Sequence, residues 1–213
     1  MQETIITLPY SLPDAEILAD GNKERYKIWR PDKTYIVLGR SNKAESSVNT
    51  DNVIKDGIMV MQRSSGGHTV VLTPATIVFS IKIPAKKLES PREIFDTINK
   101  SLIEEFHKKG VEGICSRGIS DLSIGDQKIM GSSMNLKEGT YFYHAVLNIS
   151  EDPILISKYL KHPAKEPDYR LGRDHSEFVT SLWKKGYRLT LNECIEILIN
   201  SIEETLKIIS FKE

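Results

Sequence analysis

The sequence predicts an α+β domain, with mixed or antiparallel β-sheets and helices packed on one side. Three observations carry that expectation. Short apolar, β-branched runs fill the chain as far as Pro84. Two well-marked amphipathic helices follow, one beginning at Ser90 and one at Thr190, with more strand-like segments between them. The strands come in groups rather than in strict strand–helix–strand alternation, which argues against a doubly wound parallel sheet. The 213 residues are enough for one domain over 1–213 with a real core.

Residues 3–8 read as a first strand, stopped by Pro9 and Pro13. Residues 14–24 are polar and read as irregular. Tyr26–Trp29 and 34–38 are strands ended by Pro31 and Gly39, and 50–56 form a short helix before Gly57. Residues 58–61 and 69–72 are strands on either side of a glycine stretch, and 75–83 is a long β-branched strand closed by Pro84. The next helix has Ser90 as N-cap, Pro91 at its first position and Glu93 completing a capping box. Ile94, Ile98, Leu102 and Phe106 make its apolar face, and Gly110 ends it. A hairpin over 119–124 and 127–131 turns at Gly125-Asp126. Residues 140–149 are a strand, and Asp152-Pro153 opens a short helix. The charged, proline-containing segment 162–176 reads as a loop. Thr190 and Glu193 cap the final helix, with Ile195, Leu198, Ile202 and Leu206 on its apolar face.

Lys plus Arg and Asp plus Glu both total 29, so no net charge draws the chain to nucleic acid or to an anionic membrane. No apolar run reaches the roughly 18 residues of a membrane span, and no signal peptide is visible at the N-terminus. The two cysteines, Cys115 and Cys194, fit neither a disulfide framework nor a zinc pattern, so no metal site is expected and a cytoplasmic location is.

Two stretches could carry chemistry. In Gln62-Arg63-Ser64-Ser65-Gly66-Gly67-His68-Thr69-Val70, adjacent glycines let main-chain N–H groups approach a ligand, and Arg63 offers a fork of donors for a phosphate or carboxylate. The same residues also fit a Gly-Gly turn with a surface arginine. In the 119–131 hairpin, Lys128 alternates with apolar residues and Asp121 lies on the partner strand. A lysine placed there grips a ligand, pairs with an acid, or is simply solvated.

Together, in this order, these stretches resemble the lipoate–protein ligases of the biotin/lipoate ligase and octanoyltransferase superfamily. The glycine block parallels the family's Arg-Arg-x-Ser-Gly-Gly-Gly-Ala-Val. The segment from Ser120-Asp121-Leu122 through Gln127-Lys128-Ile129-Met130-Gly131-Ser132 parallels its lysine block. Val37-Leu38-Gly39-Arg40, Tyr143-His144-Ala145-Val146-Leu147 and Phe178-Val179-Thr180-Ser181-Leu182 are smaller matches. The resemblance spans roughly residues 25–210 and implies a biotin/lipoyl ligase catalytic-domain fold.

The resemblance also implies an activity. ATP, with Mg2+, would activate lipoate as lipoyl-adenylate, and a lysine of a lipoyl domain or a glycine-cleavage H-like protein would accept the acyl group. Lys128 would be the catalytic residue, bridging the α-phosphate and the acyl carbonyl. Arg63, Ser65, Gly66, Gly67, His68, Thr69, Val70, Asp121, Gly131, Ser132 and His144 would bind substrate and nucleotide, Arg63 holding either the phosphate or the loop. An apolar tunnel between the sheets would take the acyl chain.

The sequence departs from the family pattern at several places. Gln62 replaces the first arginine, His68 the third glycine, and Leu72 a histidine. The His68 ring either meets the ligand or faces solvent. The helix expected before the Trp29 strand is missing or cut to 13–20, and the chain ends near residue 213 without the small C-terminal domain of the long ligases. Both features imply a minimal catalytic domain, with a separate accessory subunit possible. Two other readings stay open. Cys115, thirteen residues before Lys128, could carry a thioester in an ATP-independent octanoyl or lipoyl transferase. A non-catalytic subunit that binds lipoyl domains would also fit the altered glycine block.

Overall fold

The chain forms two β-sheets packed face to face, with helices against the outer face of each. The structure is a computed structural model, and it describes residues 4–19, 21–85 and 90–211. In chain order the elements are β1 (Thr7–Pro9), a 3-10 helix (Pro13–Leu18), β2 (Tyr26–Trp29), β3 (Tyr35–Leu38), α1 (Ala44–Ser47), α2 (Thr50–Lys55), β4 (Met59–Gln62), β5 (Val70–Leu72) and β6 (Thr76–Pro84). Then come α3 (Pro91–Lys108), β7 (Ile114–Arg117), β8 (Asp121–Ile124), β9 (Gln127–Lys137), β10 (Thr140–Asn148), α4 (Pro153–Tyr159), a 3-10 turn (Asp168–Arg170), α5 (His175–Phe178) and α6 (Leu191–Phe211). The smaller sheet has the order β1-β4-β3-β5, with β1, β4 and β3 parallel and β5 antiparallel. The larger, β2-β6-β10-β9-β8-β7, is antiparallel throughout.

Strand alternation sorts the core into three layers. On β6, Ile77, Phe79, Ile81 and Ile83 face α3 and α6 and join Ile98, Leu102, Phe106 and Leu198 in the largest apolar cluster. The intervening Val78 meets Tyr35, Val37, Met61 and Leu72 between the sheets. On β3, Ile36 and Leu38 face the other way, toward Ala44, Val53 and Tyr159 of the helices over the small sheet. A strand buried on both faces explains why 35–38 is a continuous apolar run. Both sequence-marked helices begin at capping boxes, Ser90–Glu93 and Thr190–Glu193.

The α+β expectation holds, with some differences. The first strand is only Thr7–Pro9, and the polar stretch after it is partly a 3-10 helix that buries Asp14 and Ile17. β9 runs on to Lys137 through a Ser- and Asn-containing stretch with no strand signal of its own. Its partner is β10, reached through a two-residue turn in which Glu138 and Gly139 both have positive φ, the geometry that matches strand twist. The edge strand β7 and the short helices within 162–176 were not visible as patterns, because each is held mainly by its neighbours.

Candidate active site

The site is built where the glycine stretch of the small sheet meets the lysine hairpin of the large one. In the hairpin, Leu122 pairs with Met130 but Ser123 pairs with Lys128, so Ile129 is an extra, bulged residue. Without the bulge, residues three apart on a strand point to opposite faces. With it, Lys128 and Gly131 share the face turned away from α3 and α6. A bulge of this kind re-aims a side chain at a sheet edge. Lys128 folds back over Gly131 and its Nζ lies 2.8 Å from Asp121 Oδ1. A Cβ on Gly131 would stand 2.7 Å from Lys128 Cε and Nζ, so only glycine leaves that path clear. The other Asp121 oxygen accepts from the Tyr169 hydroxyl at 2.8 Å. Burial, and then the Asp121 charge, push the Tyr169 pKa up and keep it a donor. The Lys128 backbone is pinned by Thr180 N–H donating to its carbonyl at 2.8 Å.

The glycine stretch is wound around Arg63. This guanidinium is buried, and it donates to Val37 O at 3.2 Å, to Gly66 O at 2.7 Å, to His68 O at 2.8 Å and to Ser65 Oγ at 3.0 Å. Burial lowers its pKa to about 10, so it is still charged at neutral pH. Arg63 therefore holds the loop, with four of its five N–H donors on main chain and Ser65. The loop also presses on the turn after β3, where a Cβ on Gly39 would come within 2.0 Å of Gly67 O. Gln62 donates to the carbonyls of Arg40 and Asn42, and Thr69 Oγ1 donates to Asn42 Oδ1. Val70 packs into the layer between the sheets.

Ser133 joins the two halves, donating from Oγ to Gly66 O at 2.8 Å. Ser132, the expected residue, does not. It pairs with Ala145, which faces the helices, and its Oγ donates to Ser120 O. Because the bulge shifts the alternation, Ser133 rather than Ser132 lies on the Lys128 face. His144 is opposite Ser133 on β10, and its Nε2 is 2.5 Å from Ser65 Oγ. Burial, then Arg63, drive its pKa down to about 3, so the ring is neutral.

A polar strip with no signal in the sequence continues between the sheets. Ser80 pairs with His144 across β6 and β10, and its hydroxyl donates to Asp14 Oδ2 at 2.7 Å. Tyr10 OH and Trp29 Nε1 donate to Asp14 Oδ1 at 2.6 and 3.1 Å. Burial raises the Asp14 pKa against these three donors. Asp14 was hidden because it lies in a polar, low-propensity stretch, and two of its three partners, Trp29 and Ser80, are distant in sequence.

His68 stands at the exposed tip of the loop. Its pKa is lowered by enclosure and then by the Lys128 charge, and the Lys165 backbone is a hydrogen-bond partner. The ring is thus on the side of Lys128 and the 161–174 segment. Cys115 is half-exposed on β7 and pairs with Ser123, which pairs with Lys128. The three share one face, with Cys115 two strand spacings, about 10 Å, from Lys128. Cys194 is buried in the helix layer. Among the described residues no group of three or more His, Cys, Asp or Glu side chains is arranged to hold a metal ion, and no helix is long and apolar enough to cross a membrane.

Comparison with known proteins gives a consistent result. The lipoyl protein ligase A/B catalytic domain model matches residues 15–203. Lipoate-protein ligase A subunit 1 of Thermoplasma acidophilum is 24% identical over 202 residues, covering 91% of this chain and 76% of the relative. Lipoate-protein ligase LplJ of Bacillus subtilis is 26% identical over 125 residues, 59% of this chain and 37% of that protein. The chain therefore spans about three quarters of the first relative and under half of the second. Among solved structures, a bi-partite lipoate protein ligase from T. acidophilum, studied with its E2 lipoyl domain, superposes with a TM-score of 0.73 at 23% identity, over 85% of this chain and 71% of that one. P. falciparum LipL1 in complex with lipoate gives 0.66 at 20%, over 86% and 50%. A lipoate-protein ligase A bound with ATP gives 0.72 at 22%, over 85% and 72%. These likenesses establish the fold as that of the lipoate ligase catalytic domain. With a family model matched across most of its length, the chain belongs to the lipoyl protein ligase A/B catalytic-domain family.

Proposed function

We propose that this chain activates lipoate with ATP as lipoyl-adenylate and transfers the lipoyl group to a lysine of an acceptor lipoyl domain. A glycine-cleavage H-like protein is an acceptor of the same class. The observation that carries the reading is the bulged hairpin, which aims Lys128 across Gly131 at Asp121 and ties that strand through Ser133 to the glycine loop. A carboxylate is a poor acyl donor until it is adenylated, so the protein's main task is to hold developing negative charge. Lys128 is the mobile cation for that task, shared between an α-phosphate oxygen and the acyl carbonyl oxygen. Asp121 holds the lysine between turnovers. Gly66 and Gly67 let the loop backbone approach the adenylate, with Arg63 fixing their conformation. Trp29, Val70 and Val146 offer an apolar surface between the sheets for the acyl chain. Mg2+ arrives on the phosphates, which suits an ion that needs few protein ligands. The Thermoplasma relative is named as one subunit of a ligase, and the related structure is described as bi-partite; both support a separate accessory chain here.

The test is an intact-mass assay with an apo lipoyl domain, lipoate and the chain, with and without MgATP. A lipoyl mass gain that requires ATP supports the ligase. A second reading rests on the shared face of Cys115, Ser123 and Lys128. If an acyl-carrier thioester labels the acceptor without ATP, and Cys115→Ala abolishes it, the chain is a thioester transferase. No mass gain in any arm, even with an accessory chain supplied, leaves a non-catalytic lipoyl-domain-binding subunit.

A further inference from the structure

Arg170 sits in the 3-10 turn over the site, and its surroundings are unusual for a cation. The residue is 3% exposed. Its Nε donates to Arg173 O at 2.8 Å and lies 3.4 Å from Glu166 Oε2, while the guanidinium stacks 4.9 Å over the Phe178 ring. Its Nη2 is buried and has no hydrogen-bond partner. A buried, charged donor left unpaired is costly, and native proteins rarely keep one without a use. The contrast with Arg63 is plain, since both Nη2 donors of that guanidinium are taken by its own loop.

The position of Arg170 narrows the use. Phe178, on which it stacks, leads directly to Val179, which bridges Lys128. Its neighbour Tyr169 holds Asp121, the partner of Lys128. The charges of Lys128 and Arg170 both act on the His68 ring at the loop tip. Arg170 is therefore tied to the lysine hairpin through Phe178–Val179 and through Tyr169, and it is a rigid fork with one unpaired position. A guanidinium fork suits phosphate oxygens.

We propose that Arg170 is a phosphate-binding residue of this site, its Nη2 kept for an oxygen of the pyrophosphate part of a nucleoside triphosphate. The assignment rests on the nucleotide reading above and extends it. That reading commits Lys128 to the α-phosphate and assigns no side chain to the more highly charged β and γ groups. Because Nη2 is closed to solvent, the phosphate reaches it as the 168–174 turn shifts. That turn is held to the hairpin by Tyr169–Asp121 and Arg173–Asp126.

The test is calorimetric titration of the full chain with magnesium pyrophosphate, MgATP and AMP, comparing wild type with Arg170→Lys and Arg170→Met. Pyrophosphate and ATP affinity should fall at least tenfold in both variants, with AMP affinity changed less than twofold. Loss in the lysine variant, which keeps the charge, marks the fork as the recognising feature. Equal pyrophosphate affinity in all three proteins overturns the assignment while leaving the nucleotide reading intact, and so does an equal loss for AMP. Wild type that binds neither ATP nor AMP overturns both. If the variants misfold, side-chain 15N resonances of the wild-type chain decide. The Arg170 signal should move with pyrophosphate while that of Arg63 stays, and an unmoved Arg170 signal overturns the assignment.

Discussion

At the scale of single residues, the placement of Lys128 depends on an atom that is missing. Gly131 has no Cβ, and the lysine stem runs through the space that a Cβ would fill. The atoms that a new methyl would meet are the far end of a flexible side chain, so they can give way. Gly131→Ala should therefore lower acyl transfer substantially while moving Tm by only a degree or two, checked by pairing the mass assay with thermal unfolding. Lys128→Ala should reduce transfer about 10²–10³-fold, the usual loss for a main oxyanion-stabilising group, with lipoyl-domain binding unchanged. A scaffold would show no loss. His144 makes a prediction about pH. Its pKa sits near 3, below the ~6.5 of an unfolded histidine, because burial and then Arg63 disfavour the imidazolium. Between those values the unfolded chain binds the proton and the folded chain does not, so this contribution to stability falls as pH drops through that window. The loss is about 3 kcal/mol by pH 4. Asp14, with a raised pKa, works in the opposite direction. Urea unfolding at pH 7 and pH 4 in wild type and His144→Gln isolates the histidine, and the variant should be less acid-sensitive.

At the scale of elements, the glycine loop and the hairpin were legible for different reasons. The loop announces itself by composition, since paired glycines next to an arginine and an apolar run are a strong local signal. What each residue does there was not legible. From the sequence Arg63 could hold either the phosphate or the loop, and in the structure four of its hydrogen bonds go to its own loop and to β3. The hairpin's position was clear from Gly125-Asp126, but its bulge was not, and the bulge is why Ser133 rather than Ser132 meets the loop. Close approach between loop and turn gives a prediction at this scale. In Gly39→Ala the new Cβ would meet a backbone oxygen, Gly67 O, which cannot swing aside. The loop must move, so this variant should lose both stability and substrate affinity, unlike Gly131→Ala. A Gly39→Ala protein with wild-type Tm and KM would refute the close packing described here.

At the scale of the whole molecule, two sheets and two helix layers keep the site rigid from both sides. The helices α3 and α6 bury the opposite face of the strands that carry Lys128 and His144. Leu198→Ala on α6 should cost about 2–5 kcal/mol in unfolding free energy, as buried leucine truncations do. At temperatures where the variant stays folded, its KM values should be near wild type.

The sequence by itself determined the α+β class, the two capped helices, the strand cores and the two stretches that meet at the site. These are set by local signals: caps, turns and the period of apolar residues. Only the tertiary structure decided which face Lys128 occupies, that Asp14 and Tyr169 belong to the site's surroundings, and that Arg63 is bound up while Arg170 keeps an open donor. The Asp14 and Tyr169 placements depend on hydrogen bonds between residues far apart in the chain. A one-residue bulge, or the choice of which carbonyls a guanidinium reaches, leaves no periodic trace in the sequence.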